Sequence, residues 1–345
     1  MLSQIQPRRP VIKARFLNAA QELVRLIRTG VTPQSLAPQA AEPTANKSAQ
    51  WQPAPQFLRG HFSHTEGSRD YRLYIPSDYE RLDQALPLLV MLHGCTQDAE
   101  DFAVGTQMNQ WAEYYRVLVL YPSQARSANL KRCWNWYKPK NQQANRGEPA
   151  IIAGLTQAVM NSYQVDSARV YIAGLSAGGA MAAIMGETYP ELYAAIGVHS
   201  GLATGSASHV IAALMAMRQG SRQLQTRSAP PRFVPTIIFQ GDQDHIVAAS
   251  NAEQLLAQAK QSLEASKASL KIEQQTVRPP SGHAYTRIQI KDLTGQTQID
   301  YWLVHGAGHA WSGGHIKGSY TDPEEPNASQ EMLRFFLEHR LTLKA

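Results

Sequence analysis

Apolar residues along this chain gather in short runs separated by polar, turn-forming stretches. Pro87-Leu88-Leu89-Val90-Met91-Leu92, Val117-Leu118-Val119-Leu120-Tyr121-Pro122, Ala194-Ala195-Ile196-Gly197-Val198, Pro235-Thr236-Ile237-Ile238-Phe239 and Ile299-Asp300-Tyr301-Trp302-Leu303-Val304 have strand length. All are nearly continuous in apolar character, as expected of strands covered on both faces. Residues 59–64 and 70–75 read as a hairpin about Glu66-Gly67, and 270–276 and 284–291 as further strands. Helical patterns fall between them, over 104–115, 150–163, 208–217, 250–265 and 329–341. Strands alternating with helices imply right-handed crossovers and an α/β fold, with a mainly parallel central sheet and helices on both faces.

The first 56 residues read differently. Ile12, Phe16, Leu23 and Ile27 recur at helical spacing over 11–28, with Lys13, Arg15, Arg25 and Arg28 on the other faces. Residues 1–30 therefore form a basic amphipathic helical extension. Residues 31–56, rich in Pro, Ala, Gln, Thr and Ser, form a linker, and a catalytic domain occupies 57–345. The net charge of +6 is concentrated in the extension, whose six basic residues face one acid, Glu22, for +5. The remaining chain is close to neutral, which argues against a nucleic-acid-binding body. A basic amphipathic helix allows weak contact with an anionic membrane surface. There is no apolar run long enough for a transmembrane helix and no apolar leader of secretory type. Taken at face value, the missing leader implies the cytoplasm. Cys95 and Cys133 are the only cysteines, and no Cys/His cluster has metal-ligand spacing.

Candidate chemistry centres on Arg169-Val170-Tyr171-Ile172-Ala173-Gly174-Leu175-Ser176-Ala177-Gly178-Gly179. β-type residues lead into Gly-x-Ser-x-Gly, and helix formers follow. This pattern suits a sharp strand-to-helix turn that presents a serine hydroxyl to a cleft, with glycines leaving room for the reversal. Ser176 is the candidate nucleophile. A serine nucleophile needs a base, and the base an orienting acid. In hydrolases on such sheets these follow in the order Ser, Asp or Glu, His. The loop after the strand at 235–239 offers Asp242 and Asp244. Asp244 is preferred, and Asp242 reads as a turn-forming aspartate. The glycine-rich loop after the last sheet strand offers His309, with His305 as a structural histidine. Ala177 and Cys95 are the candidate oxyanion-hole donors through their backbone N–H groups, with Thr96 the alternative to Cys95. Trp134, Trp136, Trp311 and His199 are candidate substrate contacts. Glu148 is read as a carboxylate favouring a helix N-terminus.

With those residues in place, the chain resembles the poly(3-hydroxybutyrate) depolymerase-like esterases, relatives of feruloyl and acetylxylan esterases. The matching pieces are Leu92-His93-Gly94-Cys95-Thr96-Gln97, Cys133-Trp134-Asn135-Trp136, Gly147-Glu148-Pro149-Ala150, the serine turn, Gly241 to Val247, and Gly308-His309-Ala310-Trp311. The resemblance implies an α/β-hydrolase fold and carboxylic-ester hydrolysis without a cofactor or metal. It carries the nucleophile to Ser176, the acid to Asp244 and the base to His309. Family members tend to carry cysteines at both positions, which supports a Cys95–Cys133 disulfide and an extracellular or periplasmic location. Two buried free thiols are the alternative. Secreted depolymerases usually add a C-terminal linker and polymer-binding domain. This chain ends shortly after the histidine loop, so the expected partners are small-molecule or oligomeric esters: short-chain, hydroxyalkanoate-oligomer or feruloyl-type. Rival readings are acyl transfer or peptide hydrolysis through the same residues, or a non-catalytic binding protein.

Overall fold

The computed structural model describes residues 54–221, 232–266 and 269–342. The expected basic helix, and the linker as far as residue 53, lie outside them. From Gln56 onward the strands are β1 (Gln56–His64), β2 (Gly67–Ile75), β3 (Leu86–Leu92), β4 (Leu118–Pro122), β5 (Val165–Leu175), β6 (Ala195–His199), β7 (Thr236–Gly241), β8 (Lys271–Val277), β9 (Tyr285–Lys291) and β10 (Thr297–Val304). They form one sheet in the order β1-β2-β4-β3-β5-β6-β7-β10-β9-β8. The six strands from β4 to β10 are mutually parallel. Antiparallel pairs β1-β2 and β9-β8 extend the two edges. Two further short strands, β11 (Trp311–Ser312) and β12 (Thr321–Asp322), pair on their own.

The helices are α1 (Ala99–Thr106), α2 (Met108–Tyr115), α3 (Gly147–Ser162), α4 (Ala177–Thr188), α5 (Val210–Gln219), α6 (Ala249–Ser266) and α7 (Ala328–Leu337). They cover both faces of the sheet, and strand alternation shows why the central runs are apolar throughout. Leu88, Val90, Val170 and Ile172 pack with Ile151 and Leu155 of α3 and Met181 and Met185 of α4. The intervening Leu89, Met91, Tyr171 and Ala173 pack with Phe102 of α1, Met108 of α2 and Phe335 and Phe336 of α7. Alternate residues of one strand thus serve two cores.

Two helices depart from the pattern read along the chain. The helix expected over 104–115 is two. Asp98 caps the first by accepting from the Asp101 N–H at 3.0 Å, and Gln107, at φ 52°, breaks the path between them. The final helix stops at Leu337 instead of 341, because the chain turns to bond with β5: Leu341 N–H donates to Ala168 O at 2.8 Å, and Tyr171 Oη donates to His339 O at 2.8 Å.

The centre of the sheet is also its tightest point. Helix α4 leaves β5 with its first turn pressed on the end of β3. A Cβ on Gly178 would fall inside the contact radius of the Leu92 and His93 carbonyl oxygens, and one on Gly174 would collide with the Gly178 backbone. Backbone atoms cannot give way as a flexible side chain can. Gly178→Ala is therefore expected to cost about 3 kcal/mol and to lower the melting temperature by several degrees in calorimetry. An unchanged melting temperature would show that the turn relaxes freely.

Candidate active site

Ser176 sits between β5 and α4 at φ 58°, ψ −118°, a conformation that L-residues rarely adopt. Its N–H donates to His199 O at 2.9 Å, and its carbonyl oxygen accepts from Ala180 N–H at 2.9 Å. The reversal is thereby tied to β6 on one side and to α4 on the other. The residue is 6% exposed and opens on a cavity of about 410 Å³.

His309, on the same cavity, meets Asp244. His309 Nδ1 and Asp244 Oδ2 lie 2.7 Å apart, and the Asp244 side chain is fully buried. The second oxygen, Oδ1, accepts from the N–H groups of Ile246 and Val247 at 2.9 and 2.8 Å. Gln240 Nε2 donates to Oδ2 at 3.2 Å. Burial works to raise the Asp244 carboxyl. The hydrogen bond and charge of His309 and the two N–H donors outweigh it and hold the group below its ordinary value. With Nδ1 engaged, His309 keeps Nε2 free of partners among the described residues, and its ring lies on the same cavity as Ser176.

Asp242 has a different partner. Its Oδ2 lies 2.8 Å from His305 Nδ1, and its Oδ1 accepts from Gly306 N–H at 2.8 Å. Asp242 N–H donates to Val304 O and Gln243 N–H to Ala307 O, both at 3.0 Å. The pair binds the loop after β7 to the loop after β10 and so sets where Asp244 and His309 face each other.

The loop after β3 lies across the cavity. Gly94 N–H donates to Gln97 Oε1 at 2.9 Å, and Thr96 N–H to Lys131 O at 2.6 Å. Cys95 N–H and Ala177 N–H make no hydrogen bond among the described residues, and Ala177 begins a helix, where N–H groups lack an intrahelical acceptor. Thr96 holds φ 68°. Cys95 and Cys133 are joined by a disulfide with Cα atoms 4.2 Å apart, so the loop after β3 and the tryptophan loop are covalently linked at the cavity.

Two expected substrate contacts lie elsewhere. Trp311 is fully buried. Its Nε1 donates to Ser329 Oγ at 3.0 Å, and its ring packs on Phe102 and His199 at 5.5 and 5.0 Å between centroids. Pairing of β11 with β12 turns this side chain inward, into the core beneath the His309 loop. His199 is 2% exposed. Its ring stacks between Phe239 and Trp311, and its Nε2 accepts from Ser312 N–H at 3.1 Å. Neither residue lines the cavity; both support the loop that carries His309. Trp134 and Trp136 do line it. Trp134 is fully buried, with its ring between Arg69 and His93.

Beneath these loops lies a polar core that no local motif in the sequence marks. Glu148, in the first turn of α3, is 4% exposed and accepts from Gln124 Nε2, Asn135 N–H and Asn135 Nδ2 at 2.6, 2.7 and 2.6 Å. Its counter-ion is Arg69, itself buried, at 3.5 Å. His93 accepts from Gln124 N–H at Nε2 (3.0 Å) and, through Nδ1, donates to Gly94 O at 2.7 Å. The available signal was parity: Arg69 shares the inward register of Tyr71, Leu73 and Ile75.

The mostly parallel sheet flanked by helices, with a serine at the β5–α4 turn, is an α/β-hydrolase fold. The chain belongs to the esterase PHB depolymerase family, whose model matches residues 69–268. It is 31% identical over 137 residues to poly(3-hydroxyalkanoate) depolymerase C of Paucimonas lemoignei, covering 39% of this chain and 32% of that protein. It is equally identical over the same length to feruloyl esterase B of Thermothelomyces thermophilus, covering 39% and 45%. The chain thus spans less than half the length of these relatives. The acetyl xylan esterase from Aspergillus awamori shares the fold, with a TM-score of 0.60 at 18% identity over 83% of this chain and 99% of that one.

Burial, with the His309 charge adding to it, pushes His199 down to about 3. Burial pushes His93 down to about 4. Both rings are neutral in the folded state, whereas in the unfolded chain they take up protons near pH 6.5. Below that value the unfolded state binds more protons, so stability present above about pH 6.5 is lost as pH falls towards 4, by up to about 1.4 kcal/mol per pH unit for each ring. The melting temperature should drop steadily between pH 6.5 and 4.5 in calorimetry. A flat profile across that window would contradict two buried neutral histidines.

Proposed function

We propose that this protein is a serine carboxylic-ester hydrolase working through Ser176, His309 and Asp244. The observation that carries the reading is the buried Asp244–His309 contact of 2.7 Å on the cavity that Ser176 enters from a left-handed backbone position. Ser176 Oγ attacks the ester carbonyl while His309 Nε2 takes its proton. The imidazolium is stabilised by the Asp244 carboxylate. The N–H groups of Ala177 and Cys95 face the tetrahedral oxyanion. The alkoxide leaves with the proton from His309, and water, activated by the same ring, releases the acyl group from Ser176.

The cavity wall supports esters with an apolar acyl or alcohol part. Trp136, Tyr137, Ala213, Leu214, Met217 and Ile246 line it. Polyester oligomers, aryl esters and short-chain esters all fit that description, and the names of the relatives point the same way.

Ser176→Ala should lower turnover of 4-nitrophenyl butyrate by about 10⁶ and abolish labelling by a fluorophosphonate, with His309→Ala nearly as severe. Asp244→Asn should cost more than Asp242→Asn, since only Asp244 meets His309. Labelling that survives Ser176→Ala, or a larger loss from Asp242→Asn, would refute these roles. Cys133→Ser should lower kcat by about 10- to 100-fold, because the loop that presents the Cys95 N–H loses its covalent tie and a displacement of about 1 Å has that effect. An unchanged kcat would show that hydrogen bonds alone hold the loop.

A further inference from the structure

The cavity is not uniform. Besides its apolar residues the cavity is lined by Thr96, Asn129, Lys131 and Tyr320, of which Thr96, Lys131 and Tyr320 are exposed. Among the described residues lining the cavity, Lys131 carries the only permanent charge, and none is acidic. No carboxylate of the described residues lies within 4.0 Å of its ammonium group, whereas its neighbour Arg132 is paired with Asp98 at 2.8 Å. Asp244, the acid nearest in function, is sealed behind His309 with no exposed side-chain surface.

The backbone beneath this cation is fixed. Lys131 O accepts from Thr96 N–H at 2.6 Å, and Lys131 N–H donates to Asn129 Oδ1 at 3.0 Å. Two residues on, Cys133 is bonded to Cys95. The ammonium is therefore tethered to the same loop pair that carries the proposed oxyanion donor. The flexible four-carbon stem on this fixed base lets the ammonium follow a charged group bound in the cavity that Lys131 lines.

We propose that Lys131 is a specificity-determining residue that favours esters bearing a carboxylate a few bonds from the scissile carbonyl, as in a hydroxyacid oligomer with a free acid end. The proposal rests on the serine-esterase reading above. The apolar part of such a substrate occupies the wall formed by α5 and the tryptophan loop, and its carboxylate reaches the Lys131 ammonium. Because Lys131 is exposed, the pair is partly screened. The expected preference is about fivefold in kcat/KM, corresponding to roughly 1 kcal/mol, the upper range for solvent-exposed ion pairs.

The test uses the full chain and two matched pairs of esters. In one pair the charge is on the acyl side: the mono-4-nitrophenyl ester of glutaric acid against 4-nitrophenyl pentanoate. In the other it is on the alcohol side: 3-(butanoyloxy)butyrate against its primary amide. The anionic member of at least one pair should be preferred. That preference should disappear in Lys131→Met, reverse in Lys131→Glu and persist in Lys131→Arg, which keeps the charge. It should also shrink as ionic strength rises from about 0.02 to about 0.5 M, where the screening length falls to a few ångströms. If both pairs are hydrolysed but the anionic-to-neutral ratio is the same in wild type, Lys131→Met and Lys131→Glu, the assignment of Lys131 is overturned while the esterase reading stands. If no ester is hydrolysed by wild type, the esterase reading itself fails, and this proposal with it.

Discussion

Ser176 holds its left-handed backbone because two glycines let helix α4 press against the ends of β3 and β5. The Gly178 backbone lies against the Leu92 and His93 carbonyls, and Gly174 lies against Gly178. That approach fixes three things together. It sets Ser176 on the cavity, places the start of α4 directly after it, and leaves the loop after β3 lining the same cavity. The parallel sheet supplies the rigid frame, since β3, β5 and β6 all end at this level.

Beside their apolar packing, the loops around the serine are held by a buried polar network. Glu148 ties the tryptophan loop to Gln124, His93 ties Gln124 to Gly94, and Gln97 engages Gly94. A buried carboxylate is costly to desolvate unless it is paired and hydrogen-bonded. Here three donors and the Arg69 guanidinium meet that condition. The network turns irregular backbone into a defined surface, which a loop exposed to water would not provide.

The two aspartates of the loop after β7 divide the work. Asp242 and His305 join the loops at their base, and Asp244 meets His309 at the cavity. A Cβ on Gly241 would collide with Ala307 O, so the two loops touch backbone to backbone there. Behind His309, the Trp311 and His199 rings stack with Phe239. Trp311 and His199 thus pack beneath the His309 loop and off the cavity lining, whereas Tyr320, edge-on to His309, is on it.

Periodicity and local chemistry were enough to read the sheet. Continuous apolar runs mark strands buried on both sides, and the alternation with helices gives the parallel α/β arrangement. The glycine spacing around Ser176 marks the turn unaided, because steric exclusion at a reversal is a local matter. Side-chain destinations are not local. Whether His309 faces Asp242 or Asp244 depends on how two loops, separated by more than sixty residues, pack on adjacent strands. Trp311 turns inward where Trp311 and Ser312 pair with Thr321 and Asp322, a contact that leaves no periodic trace. Glu148 sits where a helix-terminus carboxylate belongs, and only the arrival of Asn135, Gln124 and Arg69 from other elements makes it a buried hub. The strands, the turn and the order of the candidate groups are legible in the chain alone, since each rests on contacts within a few residues. Which polar groups meet is settled by the packed fold, because burial and pairing across the sheet exist only once distant segments are brought together.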